Sequence, residues 1–440
     1  MRAWSRGRGG LIGVGLYVAG ACLAAPAAGA QPAGEDAAAV TFTRDVAPIL
    51  QRACQVCHRP GQMAPMSLLT YKETRPWARA IRERVVRREM PPWHLDRTVG
   101  IREYINDRSL TDEEIGTIAA WVDAGAPRGD LADRPPPPAF AADDEWYIGT
   151  PDLIVTMEEE MVVAARGPDT FFNIYVPTGL TEDRYIRAVE VHPGDRRVVH
   201  HVNTFAVQEP PAPGENGLAG FRNVALPGEM WLKETSIGNS GDIYPEGTGR
   251  LLRAGAVIRF NIHYHPVGEE ARDRTSVGFR FHPRGEVPEK TLVSRFITAR
   301  NLDIPAGARD VRHDGYWTLP RPAQIIHFRP HMHYRGQAMS LEAVLPDGRV
   351  ELLTSVPRYD VNWQLTYSYE NPPAFPAGTV MHMTSYHDNS AGNRNNPDPT
   401  MWTGSGSRTI DEMAIAHTDW IFLTDAEYRE IASASVANQQ

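Results

Sequence analysis

Apolar positions follow two regimes along the chain. From about Thr41 to Asp130 they recur at helical spacing. In "RPWARAIRERVV", Ile81, Val85 and Val86 share a recurring face, Pro76 suits a first helical position, and Pro91-Pro92 ends the pattern. "LTDEEIGTIAAWVDAGAP" offers Thr111 as an N-cap with Glu114 three residues on, then Ile115, Ile118, Ala119 and Val122 on one face and Gly125 near the C-terminus. A small all-α unit is therefore expected over residues 41–130. Pro135 to Pro138 form an extended, stiff spacer that no helix interior accepts, so residues 131–150 read as a linker.

Beyond the linker the period drops to two. "DLIVTM", "FFNIYV", "YIRAVEVH", "VVHHVNTFAV", "VIRFNIHYH" and "SVGFRFH" are separated by Gly- and Pro-rich turns, and no long amphipathic helix intervenes before "DAEYREIAS". This is the pattern of antiparallel β-sandwiches. The region is long enough for two of them, residues 151–288 and 289–430, with a joint near "HPRGEVPEK", residues 282–290.

The first 30 residues carry three Arg, an apolar stretch from Leu11 to about Ala25, and Ala28-Gly29-Ala30 in small-x-small order. They read as a secretory signal peptide, with the mature chain beginning near Gln31 in the periplasm or outside the cell. A retained anchor, or a lipoprotein box at Cys22, is the rival; the apolar run is short for a span. No membrane span is expected in the mature protein. Hydrophobic residues at 42% and charged residues at 22% are those of a soluble globular chain, and a formal charge of −9 argues against nucleic acid as a partner.

Without the signal only Cys54 and Cys57 remain of three cysteines, so no disulfide framework can staple the chain. They belong to "CQVCH". Two thiols at this spacing add to the vinyl groups of haem, and the adjacent His58 becomes an axial ligand of the iron. A Cys54–Cys57 disulfide is the alternative. For the sixth ligand, Met90 in "REMPPWH" follows a helix and has rigid prolines behind it, with Met63 and Met66 as alternatives. The segment, with "CQVCHRPGQMAPMSL" and "MPPW", resembles the cytochrome c domain that bacterial proteins fuse to secreted oxidoreductase modules.

Most of the 15 histidines lie in the β region, in three groupings: His200-His201, His263 with His265, and His331 with His333. On a strand, positions i and i+2 face the same side, so His331 and His333 converge on one point. His192, His282 and His313 read as satisfied single residues, and Pro330 leaves the parity of His327 open. Imidazole suits copper, zinc and iron, and a thioether such as Met413 in "TIDEMAIAHTDW" shifts the preference toward Cu(I). The Asn- and Asp-rich stretches "YDVNWQLTY" and "YHDNSAGNRNNPDP" read as turn chemistry.

The order His-His, His-Tyr-His, His-x-His-x-x-Gly, then "DEM" resembles the copper-dependent, ascorbate-dependent monooxygenases, the family of peptidylglycine α-hydroxylating monooxygenase and dopamine β-monooxygenase, over roughly residues 150–430. The resemblance implies two jelly-roll sandwich domains, each with one copper ion, across an open solvent cleft. His200, His201 and His263 match the ligands of the electron-transfer copper. His331, His333 and Met413 match those of the copper that meets O2 and a small organic substrate. An all-His site suits passing an electron, and a His2Met site favours Cu(I). Adjacent His200 and His201 point to opposite faces of a regular strand, so the match requires a bulge or strand end there. His265 either replaces His263 or sits behind it.

The resulting expectation is a secreted hydroxylase drawing electrons from an ascorbate-like reductant or redox protein through its fused c-type haem. The rivals are a haem and copper electron-transfer or copper-handling protein and a zinc hydrolase, which Met413 disfavours. The chain departs from the animal enzymes in having no Cys in the β region.

Overall fold

The computed structural model describes residues 39–437 except 61, 63, 141–144, 209–227 and 236–240, without the side chains of 435–437. The signal segment, Cys22 and Met63 lie outside the described residues. Helices Ala47–Ala53, Ala78–Val86 and Asp112–Asp123 enclose a core of Phe42, Val46, Leu50, Ile81, Val85, Leu110, Ile118 and Trp121. The last helix begins as its sequence predicts: Thr111 Oγ1 accepts the Glu114 amide, and Glu114 returns the bond to the Thr111 amide at 2.9 Å. Val86 is the exception on the preceding helix. It is half exposed, because the buried stripe runs through Ala78, Ile81 and Val85 and leaves the helix's last residue outside.

The chain between these two helices is not helical. The helix ends at Val86, and Arg88, at φ +54°, turns the chain before Pro91 and Pro92; residues 93–106 leave the helical core to pack on the C-terminal part of the β region. There Trp93 and Tyr104 join the core of that part, with Trp93 4.9 Å from Tyr367 and Tyr104 5.4 Å from Tyr369, ring to ring. The backbone follows: the amides of Asp96, Ile101 and Ile105 donate to the carbonyls of Ser355, Leu353 and Ser368 at 2.8–3.0 Å. Gly100 allows the approach. Its φ is +64°, and a Cβ there would lie 2.4 Å from the Leu353 carbonyl oxygen.

The rest of the described chain is mostly β-sheet. The largest sheet has the order Leu153–Thr156, Ser276–Phe281, Arg184–His192, Thr248–Leu252, Lys290–Thr298, Ala414–Phe422, Ala323–Met332, Tyr367–Ser368. A second sheet, Thr170–Pro177, Val257–Tyr264, Val199–Val207 and Glu229–Thr235, faces its first half. A third, Val311–Thr318, Val380–His387, Gly336–Val344 and Val350–Val356, faces its second half. Each pair of layers encloses a core. One is centred on Val189, Val202, Phe260, Ile262 and Phe279, the other on Ile325, Phe328, Leu341, Met383 and Trp420.

The halves of the large sheet meet in a short parallel pairing, Lys290 with Thr248 and Thr291 with Gly249. Residues 282–289 form the turn that leads into it. A buried ion pair also ties the layers together: Arg329 on the strand Ala323–Met332 donates to Glu234 on Glu229–Thr235 at 2.8 Å. Where the resemblance implies an open cleft, the interface is closed at this point.

Replacing Trp93 by Ala should remove the anchor of the 93–106 segment and cost about 3–5 kcal/mol, typical of a buried Trp. Urea unfolding should show the loss, and the amides of Ile101 and Ile105 should exchange faster with solvent. An unchanged unfolding midpoint would mean that the segment is not held by this ring.

Candidate metal centres

The His200–His201 strand pairs antiparallel with Val257–Tyr264, and the register slips once. Val199 opposes Tyr264 while His201 opposes His263, so two steps along one strand match one step along the other. This is the bulge that adjacent ligands require, and His200 is the extra residue. His201 and His263 are direct cross-strand partners on one face, and the bulge turns His200 toward them. The ring centroids are 4.7 to 5.4 Å apart. One nitrogen from each ring lies within 4.8 Å of the others.

The hydrogen bonds fix which nitrogen is available. A carboxylate only accepts, so His263 donates Nε2–H to Asp169 at 2.7 Å and its Nδ1 is left bare and buried. His200 Nδ1 and His201 Nδ1 are 3.1 Å apart. Two nitrogens each about 2.0–2.1 Å from one metal ion, at a roughly tetrahedral angle, would be about 3.3 Å apart. His201 Nε2 is also buried without a partner. The set fits a metal ion. His265 does not share in it: its side chain is 62% exposed and donates to the far oxygen of Asp169 at 2.7 Å, so it braces the carboxylate that orients His263.

The second cluster lies where the strand Ala323–Met332 ends. His331 opposes Ile415 and Met332 opposes Ala414, the last pair of the ladder, and His333 and Met413 are the next residues beyond it on the two strands. The rings of His331 and His333 are 5.4 Å apart and nearly perpendicular. His331 donates Nδ1–H to the Gln364 side-chain oxygen at 2.9 Å, and His333 donates Nδ1–H to the Asp411 carbonyl at 3.0 Å. In both rings Nε2 is the acceptor form, and that of His331 is buried without a partner.

Pro330 does not disturb the strand. It opposes Ala416 in register, and the second neighbour, Tyr367–Ser368, pairs only with His327 and Phe328, so no ladder bond is asked of the proline nitrogen. The irregularity falls earlier, between Ile325 and His327.

Burial keeps these imidazoles neutral. It is the largest cause that pushes His200 down to about 4 and His333 down to about 3, and it holds His201 well below its ordinary range. The clusters also feel one another. His331 and His333 add to the depression of His201, and His263 adds to that of His333.

Cys54 and Cys57 are free thiols on the turn that ends the first helix, and burial pushes Cys54 up to about 12. His58 donates Nδ1–H to the Met66 carbonyl at 3.2 Å, which leaves Nε2 as its acceptor. Met66 is thus placed by its backbone while its side chain packs on the helical core. Met90 lines a cavity of about 470 Å³ with Trp93, His94, Leu110 and Ile115, and with Arg88, Arg97 and Arg358. Cys54, Cys57 and His58 are not among its lining residues. The two free thiols and the acceptor Nε2 of His58 are a donor set that suits a covalently held haem.

Sequence reasoning missed Asp169, Gln364, Glu412, His94 and His417. His417 is fully buried, 5.7 Å from His331 ring to ring, and its Nδ1 has no partner. Register could have found it, since His417 opposes Arg329 two positions from His331. Of the single histidines, His192 bonds Glu190 and His282 bonds the Thr248 carbonyl, while His313 accepts the Asp303 amide at 3.0 Å. Among the described residues no helix is long and apolar enough to cross a membrane.

No family model matches the chain, and no curated protein matches it. Among solved structures, the major capsid protein P2 of bacteriophage PM2 aligns at 10% identity over 62% of this chain and 97% of its own, with a TM-score of 0.27. An infectious bursal disease virus VP2 subviral particle aligns at 11% over 63% and 72%, TM-score 0.17. An allantoicase aligns at 10% over 50% and 75%, TM-score 0.16.

The buried histidines predict a pH dependence. For His200, His201, His327, His331, His333 and His417 the folded-state value lies below the ordinary 6.5, so the unfolded chain binds protons first. Stability of the metal-free protein is full above about pH 6.5 and falls as pH drops toward about 4, before ordinary carboxylates titrate. Urea midpoints at about pH 7 and pH 5 measure this. Equal midpoints would show that the imidazoles are not buried as described.

Proposed function

We propose that the chain is an exported copper monooxygenase with an electron-supplying haem. In this reading a cytochrome c-like unit would hold haem through Cys54, Cys57 and His58, with Met90 the second proposed ligand of its iron. Two jelly-roll sandwiches each carry one copper ion, the first at His200, His201 and His263, the second at His331, His333 and Met413. The carrying observation is the cluster of His200, His201 and His263, whose nitrogens lie within 4.8 Å of one another, together with the His331–His333 pair; hydrogen bonds to Asp169, Gln364 and the Asp411 carbonyl leave His263 Nδ1 and the Nε2 atoms of His331 and His333 as acceptors.

When bound, the haem and the two coppers would supply the two electrons needed to insert one atom of O2 into a substrate C–H bond, the other atom leaving as water. The chain's own part is orientation and exclusion. Asp169 and Gln364 fix the tautomers of His263 and His331, so the ligand nitrogens of these two rings carry no proton before metal arrives. Burial removes water from His201, His331 and His333, which keeps these rings neutral at physiological pH. Met413 sets the second cluster apart from the all-nitrogen first, since its thioether favours the reduced ion. The external donor would be an ascorbate-like reductant or redox protein.

Purified protein should contain one haem and two type II Cu(II) ions by metal analysis and electron paramagnetic resonance. Met413→Ala should keep the all-His copper and lose reductant-dependent O2 uptake. Stoichiometric zinc, or no copper, would contradict the reading. Two coppers and a haem without O2-dependent product formation would favour an electron-transfer or copper-handling protein instead.

A further inference from the structure

Glu412 stands immediately before Met413 and is fully buried. Its Oε2 accepts the backbone N–H of His333 at 3.0 Å and that of Met413 at 3.3 Å, while its Oε1 accepts the N–H of Arg335 at 2.6 Å. One carboxylate thus holds three amides from two segments far apart in sequence. These contacts lie just past Met332 and Ala414, the last paired residues of the ladder between the two strands. Without them the His333 ring's bond to the Asp411 carbonyl would be left to hold His333 to the segment that carries Met413.

Glu412 is itself anchored. Its amide donates to the Gly404 carbonyl and its carbonyl accepts from the Gly406 amide, both at 3.0 Å. The neighbouring Asp411 carbonyl takes the His333 ring proton, so the segment grips His333 at backbone and side chain together. The Arg335 guanidinium closes the far side through Asn389 at 2.7 Å and the Ile410 carbonyl at 2.9 Å.

We propose that Glu412 is a positioning residue that sets the spacing of His333 and Met413 and so preorganises the second metal cluster. The inference rests on reading His331, His333 and Met413 as metal ligands. A carboxylate suits the task because its two oxygens accept three N–H groups at once. A glutamine has one acceptor oxygen, and its NH2 group would confront at least one of the amides.

The test uses the full-length protein, Cu(I) titrated against a competing chelator, X-ray absorption at copper, and amide hydrogen exchange of the metal-free chain. Glu412→Gln should weaken Cu(I) binding at the His331–His333–Met413 site by about 10- to 100-fold, the usual effect of losing an outer-shell partner. It should also reduce the copper–sulfur signal and leave the His200–His201–His263 site unchanged. At least one of the His333, Arg335 and Met413 amides should exchange faster. Glu412→Ala should do all of this more strongly. Unchanged second-site affinity in Glu412→Gln, or equal loss at both sites, would overturn the inference alone. A wild-type chain that binds copper at only the first site would overturn the metal reading, and this inference with it.

Discussion

A buried imidazole nitrogen with no hydrogen-bond partner costs about 1–3 kcal/mol, and this chain keeps several of them together. His201 Nε2, His263 Nδ1, His331 Nε2 and His417 Nδ1 are all buried and bare. A fold tolerates one such atom by accident. Here the opposite nitrogen of His263 and of His331 is tied to a side-chain acceptor, so the bare side is specified by Asp169 and Gln364. At His263 and His331 tautomer and burial agree, and in the proposed reading a metal ion at each cluster is the partner of the bare nitrogen. The proposed chemistry follows from that one requirement.

The rest of the architecture places each cluster on its own strand pair. The bulge at His200 gathers three rings on one strand pair, and the end of the Ala323–Met332 strand gathers two more. The large sheet runs from one half to the other through the Lys290–Thr248 pairing, and the buried Arg329–Glu234 ion pair closes the layers beside His331. A buried ion pair adds little net stability, because desolvation offsets its attraction, but removing one partner is costly. Its value here is in register. The 93–106 segment gives the helical unit a foothold on the half that bears His331, Trp93 packing on Tyr367 while Met90 lines the cavity beside it.

Local patterning made much of this legible. The Thr111 capping box, the period-two strands and the parity of His331 and His333 depend on neighbours within a few residues, and sequence carries those directly. The bulge at His200 was a demand of two adjacent ligands before any strand pairing was known. Asp169, Gln364, Glu412 and His417 were not legible, because their importance lies in contacts spanning many tens of residues. Gln364 looked like turn chemistry until it met His331. The segment 93–106 was misread as part of a helical unit because its partners, Leu353, Ser355 and Ser368, come some 250 residues later. His265 needed its exposure, and Pro330 needed the sheet order, before either could be placed.

The central claim, that two separate copper ions occupy these clusters, is tested most directly by diffraction from crystals of the holoprotein at energies just above and below the copper absorption edge. The account predicts two anomalous peaks that vanish below the edge, one among His200, His201 and His263 and one among His331, His333 and Met413. A single peak, or peaks that persist below the copper edge, would contradict it.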